Sequence, residues 1–143
     1  SIINMKVGRI LTSKILFYYS RKGNTKALTQ LFNEDFVIDE IINIRKYNLN
    51  DFSTVVFATS TYGRGVPPKE FFDIRDILVS LKGKKIGLFG SGNSHYEHFC
   101  GALDLLEEML EANNEIIFKY KFEGYPKEID FKNMEELIYD KIN

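Results

Sequence analysis

Six residues, Ser20-Arg21-Lys22-Gly23-Asn24-Thr25, put hydroxyls, an amide, a glycine and two cations between an apolar run and the first turn of a helical pattern. A helix start leaves backbone N–H groups without partners and carries the positive end of the peptide dipoles. Gly23 lets the backbone come close to a bound group, and Ser20 and Thr25 add hydroxyl donors. The set suits an anion, and a phosphate best. Taken alone, it fits an exposed, capped turn equally well. It is not the G-x-G-x-x-G of dinucleotide sites, and it lacks the Gly-Lys-Ser/Thr ending of a triphosphate loop.

Two further stretches carry a similar mixture. "TSTYGRGVPP" (59–68) places Tyr62 beside Gly63, and "GSGNSHYEHFCGALD" (90–104) places Tyr96 among polar groups. Two aromatics on neighbouring loops could sandwich a flat ring, and a glycine permits the peptide against it to rearrange. Two loop tyrosines at the surface are the plainer alternative. Other chemistries fit less well. His95-x-x-His98 has no carboxylate or cysteine spacing to complete a metal site. No G-x-S-x-G elbow supports a hydrolase. Cys100 has no evident cation or base arranged to activate it, and packing is the simpler use for it. Glu107, Glu108 and Glu111 read as the wet face of a helix, available for docking a basic partner.

The elements around these loops explain why they should meet. "KILFYYS" (14–20), "STVVFATSTYG" (53–63) and "KKIGLFGSG" (84–92) are apolar runs of strand length, as strands buried on both faces are. "DFVIDEIINI" (35–44) holds a less regular strand, and "EIIFKYKF" (115–122) a fifth. Between them, Leu28, Leu31 and Phe32 make one helical face. Phe71, Ile74, Leu78 and Leu81 make a second after Pro67-Pro68, with Gly83 as its stop. Leu103, Leu106 and Leu110 make a third. Asp130 is expected to cap the last helix, with Met134, Leu137, Ile138 and Ile142 inside. Alternation of this kind predicts an α/β fold, a doubly wound five-stranded parallel sheet with helices on both faces. Ligands of such sheets bind beyond the carboxyl ends of the strands. Segments 20–25, 59–66 and 91–100 all fall there.

Length and composition set the outer bounds. A chain of 143 residues is about one domain and can bury roughly two thirds of its unfolded surface. No apolar run approaches the ~20 residues of a membrane span. The first 13 residues lack an apolar core and a small-residue cleavage site, so no signal peptide is expected; they read as an extension or an expression remnant ahead of a domain at 14–143. One cysteine forms no internal disulfide, and the cytoplasm is the expected compartment. A formal net charge of -1 gives no field for steering polyanions, so nucleic acid is not an expected partner.

The three loops together resemble the flavodoxins, small proteins that carry electrons on FMN. "SRKGNT" is similar to their phosphate loop, with Lys22 where the pattern often has a hydroxyl. "STYGRG" and "SGNSHYEHFCGALD" resemble the two loops that meet the flavin. The resemblance runs from about Lys14 to the C-terminus. It implies strand order 2-1-3-4-5 and FMN as cofactor. The implied cofactor-binding residues are Ser20, Arg21, Lys22, Gly23, Asn24 and Thr25 on the phosphate, and Ser60, Thr61, Tyr62, Gly63 and Arg64 in the second loop. Ser91, Gly92, Asn93, Tyr96, Phe99 and Cys100 complete the set in the third. Tyr62 and Tyr96 would flank the ring, and Thr61 would border the phosphate or ribityl chain. The Gly63 carbonyl would turn toward N5 on one-electron reduction, while Asn93 and Cys100 would offer N–H groups to the pyrimidine edge. The implied role is a monomeric carrier passing single electrons between a reductase and an acceptor, rather than an enzyme with its own substrate.

Some features depart from the family. Flavodoxins are typically strongly acidic and this chain is near neutral. Asn93 replaces the usual aspartate, and Arg64 follows Gly63 where an acidic residue is common. With Arg21, Lys22 and Lys69 the rim should be less negative, so the second electron should enter at a less negative potential. "SGNSHY", "GVPPKEF" and "FKYKFEGYPKEI" also resemble the flavodoxin-like activator of class Ib ribonucleotide reductase, which assembles a dimanganese cofactor and would make a ribonucleotide reductase subunit the partner. Glu97 stands where that activator usually has glycine, which favours the carrier. A nonredox binding module of the same layout is a further alternative. A small flavin enzyme such as a quinone reductase would usually need longer loops and a dimer interface.

Overall fold

The computed structural model describes residues 3–4, 9–10, 12–61, 67–93 and 100–142. Strands β1 (Lys14–Tyr19), β2 (Val37–Glu40), β3 (Thr54–Thr59), β4 (Lys85–Gly92) and β5 (Glu115–Glu123) form one sheet in the order 2-1-3-4-5. Every pairing in it is parallel. Ile3–Asn4 and Arg9–Ile10 pair antiparallel in a sheet of their own.

Both faces of the large sheet are covered. Ile15, Phe17, Val55, Phe57, Ile86 and Leu88 pack on one side, against Phe71, Leu78, Leu103 and Leu106. Leu16, Val56, Ala58 and Phe89 pack on the other, against Leu28, Phe32 and Met134. Alternate residues of one strand therefore enter different cores, which is why the strands read as unbroken apolar runs. Burying each such side chain stabilises the fold by about 1.5–3 kcal/mol. Phe32 and Phe89 stack with centroids 5.6 Å apart, tying the connection after β1 to the sheet centre.

Helices α1 (Lys26–Thr29), α2 (Lys69–Phe72), α3 (Arg75–Ser80), α4 (Gly101–Leu110) and α5 (Glu128–Lys141) supply the covers. Several differ from the sequence expectation. The first is one short turn that tightens into a 3-10 turn at Gln30–Phe32. Thr29 Oγ1 donates to Lys26 O at 2.7 Å, a three-residue step that competes with the α-helical ladder. Leu28 and Phe32 are buried nonetheless. The second strand ends at Glu40 and passes into a 3-10 turn at Ile41–Lys46, whose Ile41 and Ile44 are buried. Asp39 holds that turn, accepting from Glu40 N, Asn43 Nδ2 and Tyr47 Oη at 2.7–2.8 Å. The helix expected after Pro67-Pro68 is broken at Asp73–Ile74 into α2 and α3. Arg45 sits over the break, donating to Asp73 O at 3.2 Å and to both Asp76 oxygens. Its four apolar positions, Phe71, Ile74, Leu78 and Leu81, are all buried. The last helix begins at Glu128, so Asp130 is its third residue rather than its cap. The carboxylate reaches back to accept from Lys127 N at 2.7 Å and also takes the Tyr120 hydroxyl at 2.7 Å.

Candidate functional site at the carboxyl edge of the sheet

The chain leaves β1 at Ser20 and turns through Gly23, whose φ of +84° is a left-handed conformation that glycine adopts without cost. Ser20 Oγ accepts from Lys26 N at 3.2 Å, and Gly23 O accepts from Ala27 N at 3.0 Å, which closes the loop on itself. Among the described residues, the N–H groups of Lys22, Gly23, Asn24 and Thr25 have no protein acceptor. Thr25 is wholly buried, so its N–H is a donor withheld from water. The four-residue length of α1 limits its dipole, and these N–H groups are the larger attraction for an anion. Arg21 and Lys22 are exposed on the rim, and Lys26 Nζ lies 5.7 Å from the centre of the Tyr18 ring.

Below the loop lies a buried group that the sequence did not announce. Thr25 Oγ1 is 2.9 Å from Ser60 Oγ and 3.2 Å from Ser91 Oγ, and the two serine oxygens are 2.9 Å apart. Ser91 N also donates to Thr25 Oγ1, at 3.3 Å. The exposures are 0%, 6% and 4% for Thr25, Ser60 and Ser91. Three hydroxyls, from the start of α1, the residue after β3 and the last residues of β4, thus satisfy one another where a lone hydroxyl would cost free energy. Each was singled out by its loop, but contacts spanning 35 and 66 residues leave no local pattern.

The second and third loops are joined as well. Thr61 N donates to Ser91 O at 3.0 Å, and Thr61 Oγ1 accepts from Ala102 N at 3.2 Å. That hydroxyl caps α4 from a distant loop, because the cap residue of α4, Cys100, supplies no side-chain bond. Cys100 has φ +53°, the one non-glycine residue with positive φ among those described. Its thiol points inward toward Gly90 O at 3.5 Å and Phe122 O at 3.7 Å. Burial is the main cause pushing the thiol pKa up to about 11. The buried Cys100 N–H has no acceptor among the described residues and faces Gly92, where a Cβ would stand 3.0 Å from that nitrogen and 2.8 Å from the sulfur. Asn93 follows at the surface. Tyr62, Gly63, Arg64, Tyr96 and Phe99 lie outside the described residues, as do His95 and His98.

The acidic face of α4 is partly neutralised. Lys119 Nζ is 2.8 Å from Asp104 and 2.6 Å from Glu107, and Lys121 is 2.9 Å from Asp104. Burial alone would raise the Asp104 carboxyl, but the two lysines outweigh it and hold the pKa below its ordinary value.

Comparison with known proteins identifies the family and the fold. The family model described as Flavodoxin matches residues 16–139. A flavodoxin of Maridesulfovibrio salexigens is 31% identical over 92% of this chain and all of its own length. Probable flavodoxin 2 of Bacillus subtilis is 31% identical over 87% of this chain and 88% of its own. The crystal structure of oxidised Flavodoxin 2 from Bacillus cereus superposes with a TM-score of 0.80 at 29% identity, covering 92% of this chain and 100% of that one. Fold, matched length and the placement of the loops leave one conclusion, that the chain belongs to the flavodoxin family.

Proposed function

We propose that this flavodoxin holds FMN across the three loops at the carboxyl edge of its sheet. Flavodoxins are FMN-binding electron-transfer proteins, and this chain passes electrons between redox partners as one of them. The observation that carries the binding mode is the run of four backbone N–H groups, Lys22 to Thr25, without an acceptor among the described residues, next to buried hydroxyls. That donor set fits a phosphate. The buried Cys100 N–H fits a ring carbonyl in the same way.

Bound FMN supplies the redox chemistry, one electron at a time. The protein's work is placement. Ser20, Arg21, Lys22, Gly23, Asn24 and Thr25 hold the phosphate, with Ser60 beneath. Thr61 borders the chain that leads to the ring. Tyr62 and Tyr96 would flank the ring and exclude water, with Gly63 and Arg64 following Tyr62 in the same loop. Gly92, Asn93, Phe99 and Cys100 would shape the pocket for the pyrimidine edge, while Ser91 lies beneath the phosphate with Thr25 and Ser60. The working form is a cytoplasmic monomer that meets a reductase and an acceptor in turn. The relatives named above are flavodoxins rather than ribonucleotide reductase activators, which favours the carrier.

The test is an anaerobic reductive titration of FMN-loaded protein followed by visible absorbance. Two well-separated one-electron steps are expected. Two electrons entering together would indicate an activator or a two-electron enzyme, and protein that retains no FMN would point to a nonredox module.

A further inference from the structure

We infer that Ser91 is a positioning residue that, through Ser60, aims the Thr25 hydroxyl at the phosphoryl group, an inference that rests on the FMN site proposed above. Ser91 brings two donors to the triad, its N–H and its hydroxyl. The N–H is committed to Thr25 Oγ1 at 3.3 Å. Its hydroxyl has Ser60 Oγ at 2.9 Å and Thr25 Oγ1 at 3.2 Å. Three hydroxyl protons can fill three contacts as a closed ring, with nothing left to give an anion. The longest edge of that ring is Thr25 to Ser91, at 3.2 Å. Opening it leaves a one-way chain in which Ser91 donates to Ser60, Ser60 donates to Thr25, and the Thr25 proton is free for a phosphate oxygen. Each donation polarises the next hydroxyl and makes it a better donor.

The N–H of Ser91 adds to this by occupying one lone pair of Thr25 Oγ1, which further strengthens that hydroxyl as a donor. Ser91 is 4% exposed and follows the strand core directly, so it sets this direction from a fixed position. Without its hydroxyl, Thr25 could equally donate back to Ser60, and the aimed proton would be lost in part of the population. Ser91 touches the ligand in neither case. Its effect should therefore depend on the phosphoryl group and not on the flavin ring.

The experiment compares FMN with riboflavin, which lacks the phosphate, on wild type, Ser91→Ala and Ser91→Cys, each with thermal unfolding of the apoprotein. The cysteine variant keeps the volume with a weak donor and guards against a fold lost to a cavity. Inorganic phosphate is the third probe, read as the shift it causes in apoprotein Tm. An equal split between the two proton directions should weaken FMN about twofold in both variants, leave riboflavin unchanged and shrink the phosphate-induced Tm shift. FMN affinity unchanged in both variants, or FMN and riboflavin weakened alike, would overturn the role of Ser91 while leaving the site in place. Wild-type protein that binds riboflavin as tightly as FMN would instead overturn the phosphate loop itself, and this inference with it.

Discussion

The Cys100 thiol lies between the carbonyl oxygens of Gly90 and Phe122, with burial raising its pKa from 9.0 to about 11. At neutral pH that leaves on the order of a hundredfold less thiolate than a free cysteine. Alkylation of the folded protein should be slower in proportion, and should reach the free-thiol rate only on unfolding; fast labelling of native protein would contradict the burial. The same shift has a sign for stability. A pKa raised by folding means the contribution is complete below the unfolded value and is lost as pH rises, here between 9.0 and about 11. Thr25 is a sharper test of the site. Thr25→Val keeps shape but removes the centre of the hydroxyl triad, so it should cost FMN affinity and about 1–3 kcal/mol of apoprotein stability together. An unchanged apoprotein midpoint in urea would mean the triad is not formed. Thr25, Ser60 and Ser91 could each be placed beyond a strand core because the apolar runs stop in hydroxyl and glycine residues there. The triad was not, because its members meet only after three crossovers.

Elements are positioned here by a few close approaches, and Gly90 is one. A Cβ on Gly90 would overlap Thr59 O, and backbone cannot yield as a side-chain tip can. Gly90→Ala should push β3 and β4 apart next to Ser60 and Ser91, with a loss beyond about 3 kcal/mol or outright failure to fold. Near-native circular dichroism and Tm in that variant would refute the packing. Asp39 sets the end of β2. Burial would raise its carboxyl, but bonds from Asn43, Tyr47 and the Glu40 N–H outweigh this and lower it from 3.8. A pKa depressed by folding contributes stability above the unfolded value that is lost as pH falls. Asp39→Asn should therefore be less stable at neutral pH yet lose less on acidification below 3.8; parallel acid melts would show that Asp39 does not matter. The five strands were readable from the sequence because two buried faces need continuous apolar runs. The ends of β2 and of the α2–α3 pair were not, because Asp39 and Arg45 act there through contacts across the chain.

At the scale of the molecule, the balance of charge is expected to tune the bound flavin. Nineteen basic and twenty acidic side chains nearly cancel. Pairing refines that balance: Lys69 is held by Asp73 at 2.9 Å and adds little to the rim, while Lys119 and Lys121 neutralise Asp104 and Glu107 on α4. The less negative rim is expected from Arg21, Lys22 and Arg64, and from Asn93, which carries no charge. A unit charge about 8 Å from the reduced ring is worth ~2 kcal/mol at an effective dielectric of about 20, before screening. Exposed side chains keep only part of this, and salt removes more. The second electron should enter at a less negative potential than in strongly acidic flavodoxins. Lys22→Glu and Asn93→Asp should each move that potential in the negative direction, and raising ionic strength should shrink both shifts. Spectroelectrochemistry at low and high salt reads this directly. Shifts that ignore salt would place the control in hydrogen bonds to the ring, and a wild-type potential as low as in acidic flavodoxins would remove surface charge from the account altogether.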